Sequence, residues 1–172
     1  HLNRLFFDLN WNPIGDQVSF GHDIECSWLL VEAAEVLADE HLLGLTQQAA
    51  LNIADAVHAR GLDSDGSIFY EGGPAGITNS EKHWWAHAEG VVGFYNAYRV
   101  CPALEINRRE MYLSAALRLW DYIEAEFVDK QHGEWYKILD RLGTPYVNHP
   151  KVGPWEDPYH QSRACMEIIR RA

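Results

Sequence analysis

The stretch Ser19-Phe-Gly-His22-Asp-Ile-Glu25-Cys-Ser-Trp28-Leu-Leu30 enters a helix directly after a glycine turn. Side chains three apart are neighbours on a helix surface, so His22, Glu25 and Trp28 form one stripe over its first two turns. A base, a carboxylate and a flat apolar ring on one stripe suit a carbohydrate-processing site. Leu29, Leu30, Ala33, Ala34 and Leu37 continue the 3.6-residue period. The helix is therefore expected over about Asp23 to Leu42, with Gly44 as its stop.

Upstream, Leu5-Phe-Phe-Asp-Leu9 and Gln17-Val-Ser-Phe20 are β-prone runs joined by the turn chemistry of Asn12-Pro-Ile-Gly-Asp16. Residues 4–20 thus predict a hairpin. Downstream, a second helix is expected from Thr46, a plausible N-cap, to Arg60, ended by Gly61. The order then repeats. Ser67-Ile-Phe-Tyr70 and the Gly72-Gly-Pro-Ala-Gly76 turn predict a second hairpin. A helix from about Lys82 carries Trp84, Trp85, Glu89, Val92, Phe94 and Tyr98, and Pro102 ends it. The next runs from about Glu105 to Phe127, with Met111, Leu113, Ala116, Leu117, Trp120 and Ile123 on its apolar side. A third hairpin uses Glu134–Leu139, a turn at Asp140–Pro145, and Tyr146-Val147. The loop Pro150–Pro154 leads into a last helix from Tyr159.

Hairpin, helix, helix therefore occurs two and a half times, which signals a repeat architecture. Short connections make sequential helices antiparallel neighbours. The expected fold class is all-α: roughly half of a larger toroid, with about five helices and short β-hairpins at one rim. In such an array the first helix after each hairpin lines the inside and the second forms an outer layer. The chain opens on His1 with no Met, so its true N-terminus is expected upstream.

Composition narrows the function. The 172 residues are 47% hydrophobic, which is globular and enough for one core. The net charge of −11 and the absence of a basic cluster argue against a nucleic-acid partner. Charges interrupt every apolar run before membrane-spanning length, so no membrane partner is expected. Cys26, Cys101 and Cys165 are widely spaced, supporting neither a disulfide framework nor a zinc ribbon. Each reads as a buried helical thiol in a reducing, cytoplasmic setting.

The polar-aromatic clusters fall at the same place in each unit. They are His22, Glu25 and Trp28; then His83, Trp84, Trp85, His87 and Glu89; then Trp155, Tyr159, His160 and Arg163. In a half-toroid these converge on one cavity. Singly, each has an ordinary reading: the tryptophans as core, Glu25 as a helix-dipole partner, Arg163 as a helix-end ion pair. Three chemistries fit the set. His83 and His87 have the i, i+4 spacing of a zinc pair, but Trp84 stands where the HExxH glutamate belongs. No metal and no cofactor are expected. Glu25 and Glu89 could flank a sugar as a glycosidase pair, yet that chemistry has no need of His22 and His160 at matching positions. Two facing histidines suit removal of a proton from carbon α to a carbonyl and its return to the opposite face.

These residues resemble the N-acylglucosamine 2-epimerase superfamily, and within it the cellobiose 2-epimerases. The resemblance rests on Ser19-Phe-Gly-His-Asp-Ile-Glu25 with Trp28, Lys82-His-Trp-Trp85 with Ala88-Glu89, and Gly133-Glu-Trp-Tyr136. Further along it rests on Lys151-Val-Gly-Pro-Trp155, Pro158-Tyr-His160, Arg163 and Ile168-Ile-Arg-Arg171. It implies an (α/α)6 barrel, of which residues 1–172 are the C-terminal half with the N-terminal half absent, and C2 epimerisation of the reducing-end sugar of a disaccharide such as cellobiose. His22 and His160 are then the acid/base pair, and Glu25 supports the first. Trp28, Trp84, Trp85 and Trp155 contact sugar or line the cavity, Glu89 binds a hydroxyl, and Arg163 positions Glu25. The family's pattern holds Gln at the position of His87, and its other half supplies an arginine for the enediolate and a further histidine. A second copy or that N-terminal half is the implied partner. Aldose–ketose isomerisation on a mannose-like sugar, or an inactive sugar-binding or structural fragment, are the alternatives.

Overall fold

A computed structural model describes residues 2–172 and contains the hairpin–helix–helix order two and a half times. Strands β1 (Phe6–Phe7), β2 (Pro13–Ile14) and β3 (Val18–Ser19) precede helices α1 (Phe20–Leu37) and α2 (Glu40–Gly61). Strands β4 (Glu71–Gly73), β5 (Gly76–Asn79) and β6 (Lys82–His83) precede α3 (Trp84–Val100) and α4 (Ile106–Tyr122). A π-helical turn at Ile123–Phe127 extends α4. Strand β7 (Ile138–Leu139) and a long loop then lead to α5 (Tyr159–Arg171).

The inner helices α1, α3 and α5 pack side by side in that order. Helix α2 packs on α1 and touches α3, and α4 packs on α3. The central α3 is buried along most of its length. Its small residues let neighbours approach. A Cβ on Gly93 would lie 2.5 Å from Ile24 Cγ1 and 2.7 Å from the Ile24 carbonyl oxygen. The core is filled by Phe20, Ile24, Phe94, Tyr112, Leu119 and Phe127, each essentially fully buried. Each such side chain contributes roughly 1.5–3 kcal/mol of burial.

Three sequence expectations are corrected. First, α1 ends seven residues before Gly44. Ala38 takes the left-handed conformation (φ 53°), and the Asp39 carboxylate accepts the Leu42 N–H at 3.0 Å to cap α2. Gly44 lies inside α2, and the Thr46 hydroxyl bonds back to the Leu43 carbonyl instead of capping. Aspartate supplied a cap earlier than threonine could.

Second, the strands pair differently. Phe6–Phe7 pairs with Pro13–Ile14, because the Asp8 carboxylate takes the backbone N–H groups of Asn10 and Asn12 and makes the turn there. Val18–Ser19 pairs with Glu71–Gly72, forming the ladder β3-β4-β5, and Lys82–His83 pairs with Ile138–Leu139. Each of these two ladders therefore joins one unit to the next.

Third, Leu29, Leu30, Ala33 and Leu37 are exposed. The buried side of α1 is Phe20, Ile24, Ser27, Trp28, Val31 and Ala34. The helix is apolar on two faces, and one has no neighbour within the described chain. The opposite edge is open as well. An apolar groove of about 400 Å³ between α3, α4 and α5 is lined by residues including Val91, Leu117, Trp120, Cys165 and Ile168. Of the thiols, Cys101 is buried at the end of α3, Cys26 is half-buried and Cys165 is exposed. Among the described residues no helix is long and apolar enough to cross a membrane.

Candidate active site

The starts of α1, α3 and α5 lie together, and two lysines fix the approach to the later ones. Lys82, fully buried, donates to Asp63 (3.1 Å), Asp65 (3.4 Å) and the Ser67 hydroxyl, tying the strand before α3 to the loop after α2. Lys151 donates to the Asp129 carboxylate and to the Gly133 carbonyl, tying the loop before α5 to the turn after α4. That contact, with backbone N–H groups from Gln131 and His132, holds the Asp129 carboxyl well below its usual range.

On this frame the His22 ring lies 4.6 Å from the Trp85 ring, and the His160 ring lies 5.6 Å from the same indole. Trp84 stands edge-on to His160 at 6.5 Å. Close approach of α1 to Trp85 depends on Gly21, where a Cβ would sit 2.6 Å from the indole. His22 is exposed, and its Nδ1 lies 2.8 Å from the Ser19 hydroxyl. His160 is half-buried, and its Nδ1 lies 2.7 Å from Glu89 Oε1. A carboxylate only accepts, so His160 carries its proton on Nδ1 and keeps Nε2 available.

Behind His160 sits a charged node. Arg163 donates to Glu25 and, at 2.6 Å, to Glu89 Oε1. Trp28 Nε1 donates to Glu89 Oε2 at 3.0 Å. Glu89 is only 1% exposed and thus receives three donors. Burial works against the charge on Arg163, but its bonds to the two carboxylates prevail and raise its pKa. The guanidinium also lies 5.1 Å from the Trp28 ring centre and 4.5 Å from that of Tyr159. Ligand atoms of Glu25, Glu89 and His160 lie within 4.8 Å of one another, a spacing open to a metal ion. The positive charge between these carboxylates comes from Arg163, and His160 Nδ1 is committed to Glu89.

The sequence set divides accordingly. His22, His160, Trp84 and Trp85 come together at the surface of the inner wall. Glu25, Glu89 and Trp28 also converge, in other positions than expected. Glu25 bonds Arg163, as the resemblance implies, but not His22, whose neighbour is Ser19. Trp28, 1% exposed, is packed behind Glu89 and offers no open face. Glu89 has no free face for a sugar hydroxyl; it holds His160. Trp155 is 87% exposed on the loop before α5 and packs on none of these rings. His83 and His87 do not form a metal pair. His87 is fully buried; its Nδ1 donates to the His83 carbonyl at 2.8 Å, and its Nε2 accepts the Ile68 N–H at 3.2 Å. Burial lowers its pKa to about 3, so the ring is neutral. His83 stacks on Tyr70 at 3.7 Å.

Sequence reasoning missed two residues here. Ser19 carried a signal, a hydroxyl three positions before His22. Lys137 carried none: it is buried, its ammonium lies 4.4 Å from the Trp84 ring centre, and burial lowers its pKa.

The model of the N-acylglucosamine 2-epimerase (GlcNAc 2-epimerase) family matches residues 2–164. A cellobiose 2-epimerase of Bacteroides fragilis is 39% identical over 170 residues, 98% of this chain and 41% of that protein. One from Ruminococcus albus is 38% identical over 169 residues, again 98% and 41%. The crystal structure of a sugar epimerase from a ruminal bacterium superposes with a TM-score of 0.91 at 37% identity, covering 99% of this chain and 42% of that one. The chain thus spans about two fifths of the length of these relatives, and the five α-helices of its described residues are part of an (α/α)6 barrel.

Proposed function

Because the chain belongs to the N-acylglucosamine 2-epimerase family, we propose that it forms the C-terminal, two-histidine wall of a cofactor-independent disaccharide 2-epimerase. The carrying observation is that His22 and His160 lie against one indole, each with Nδ1 already engaged. In an open-chain aldose the C2 proton is acidified by the C1 carbonyl. The Nε2 of one imidazole takes that proton, and the electron pair moves onto O1, giving an enediolate. The other imidazole returns a proton to the opposite face of C2, inverting it. No electrons leave the sugar. Histidine suits both steps because its ordinary pKa lies near neutrality. Glu89 steadies the imidazolium that forms on His160. Arg163 is already engaged by two carboxylates, so the group that stabilises the enediolate oxygen belongs to the rest of the barrel. The names of the similar proteins favour the reducing-end sugar of cellobiose, converted to glucosyl-mannose, as substrate.

The open edges support a need for that rest. Helices α1 and α3 are each backed by an outer helix, whereas α5 has an apolar groove at its side. A second copy has no outer helix to spare, since α2 and α4 are both packed. A helix from the complementary part of a barrel fits better. Seating it is expected to shield Cys165, which lines the groove, from alkylation; doubling of the chain's own mass in sedimentation would favour the second copy.

The test combines this chain with the part of the Bacteroides fragilis relative that it does not match. Cellobiose is supplied in D2O, and C2 is followed by NMR. Deuterium at C2 of glucosyl-mannose is expected, and loss of turnover in His22→Asn and in His160→Asn. Turnover without deuterium at C2 would sink the proton-transfer route. A ketose as main product makes the protein an isomerase. Calorimetric binding of cellobiose without turnover makes it a sugar-binding fragment.

A further inference from the structure

We propose that Ser19 is the positioning residue of His22: its hydroxyl holds Nδ1 and, able to donate or accept there, keeps both neutral tautomers of that ring open.

The first support is local. Ser19 occupies the N-cap position of α1 with extended backbone (φ −120°, ψ 114°), and serine there ordinarily spends its hydroxyl on the backbone N–H groups of the first turn. Here its side chain makes no cap hydrogen bond, and the oxygen lies 2.8 Å from His22 Nδ1. Local preference is overridden where a side chain is needed for another purpose.

The second support is rigidity. Ser19 is 3% exposed and belongs to β3, which pairs with Glu71 of β4. The next residue, Phe20, is 1% exposed, and its N–H bonds the Tyr70 carbonyl. The hydroxyl is therefore delivered from a fixed backbone. His22 itself is exposed and held otherwise by its contact with Trp85.

The third support is chemical contrast. Glu89 is acceptor-only, so it fixes His160 with its proton on Nδ1. A serine hydroxyl both donates and accepts. With Nδ1–H donating to Oγ, His22 presents a bare Nε2 and is a base. With the hydroxyl donating to Nδ1, Nε2 carries the proton and is a hydrogen-bond donor to a sugar oxygen. His160 is thereby a committed base when neutral, and His22 has two neutral states.

This rests on His22 being a proton-transfer group, yet its test needs no turnover. The ring nitrogens of the histidines are assigned by long-range 15N–1H correlation in the 172-residue chain above pH 8. His160 and His87 are expected as Nδ1–H tautomers, and His22 with averaged shifts. Ser19→Ala should move both His22 nitrogens by several ppm and leave those of His160 and His87 in place; Ser19→Thr should restore them. Unchanged His22 shifts in folded Ser19→Ala would overturn the proposal. Where alanine disturbs the fold, Ser19→Cys, similar in size and a far weaker hydrogen-bond partner, is expected to shift His22 as alanine does, and no shift there overturns it too. Loss of turnover on His22→Asn in the completed barrel bears on the mechanism alone.

Discussion

Helix α3 carries two deeply buried polar residues two positions apart, His87 and Glu89, and they face different neighbourhoods. On one side His87 is closed: a backbone carbonyl takes its proton and a backbone N–H fills its lone pair. On the other, Glu89 takes the proton of His160 and leaves that ring's second nitrogen free. Both neighbourhoods are hydrogen-bonded and largely shut off from water. The difference is in the count of partners. A histidine with two partners is a strut, and one with a single partner is available for chemistry.

Removing Arg163 attacks the Glu89 side most severely. In Arg163→Met two carboxylates face each other with no cation between them. Losing one member of such a buried node costs on the order of 3–5 kcal/mol. Urea unfolding at pH 7 should record it, and Glu25→Gln added to Arg163→Met should recover part. A loss under about 1 kcal/mol would show that the node does not hold α1, α3 and α5 together.

The His87 side is tested by pH. Its folded pKa, about 3, lies below the ordinary 6.5, so the unfolded chain binds more protons between those values. Stability is therefore whole above pH 6.5 and falls as pH drops toward 3, at up to about 1.4 kcal/mol per unit. His87→Gln should flatten this slope while costing about 1 kcal/mol at pH 7, since an amide can replace both bonds. Asp23 works in the opposite sense. Burial raises it to about 6, so its contribution is present below its ordinary pKa near 3.8 and is lost as pH rises through 6. An undiminished slope in His87→Gln would place the acid sensitivity elsewhere.

Glu89→Gln sharpens the contrast. It gives His160 a partner that can also donate, so the Nδ1–H tautomer should lose its dominance in 15N spectra. A stability loss of about 1–2 kcal/mol is expected. Smallest of all is Lys137→Met. The ammonium is buried without a hydrogen-bond partner, so an apolar chain of similar length should change stability by less than about 1 kcal/mol.

The sequence made the repeat legible because helical periodicity and turn chemistry recur in the same order. It also made His22, Trp85 and His160 legible as one set, since equivalent helix starts share a rim. Strand partners were not legible: Val18-Ser19 is equally β-prone toward Phe6-Phe7 and toward Glu71-Gly72, and only helix packing brings the latter near. Leu29 and Leu37 misled because periodicity reports apolar faces without saying which face has a neighbour. Glu25 was assigned to His22 through the resemblance, with Arg163 as its positioner. The Arg163 contact is made, across 138 residues from α5, and the one to His22 is not. The missing HExxH glutamate set His87 apart from a metal ligand, but its role as a buried strut was not legible, because its i−4 bond goes to the backbone of His83 and not to its ring.

The ladders β3-β4 and β6-β7 have one more consequence. Repeat arrays whose units touch only through side-chain faces can fray from one end, unit by unit. Here a strand before α1 is completed by residues after α2, and the strand before α3 by residues after α4. Neither of these two sheets is complete within one unit. A proteolytic nick in the Pro74-Ala75 turn would leave the strand pair β3-β4 intact on one piece, with its other piece still docked through α3. Melting should therefore follow a single cooperative transition, with no half-unravelled arc along the way.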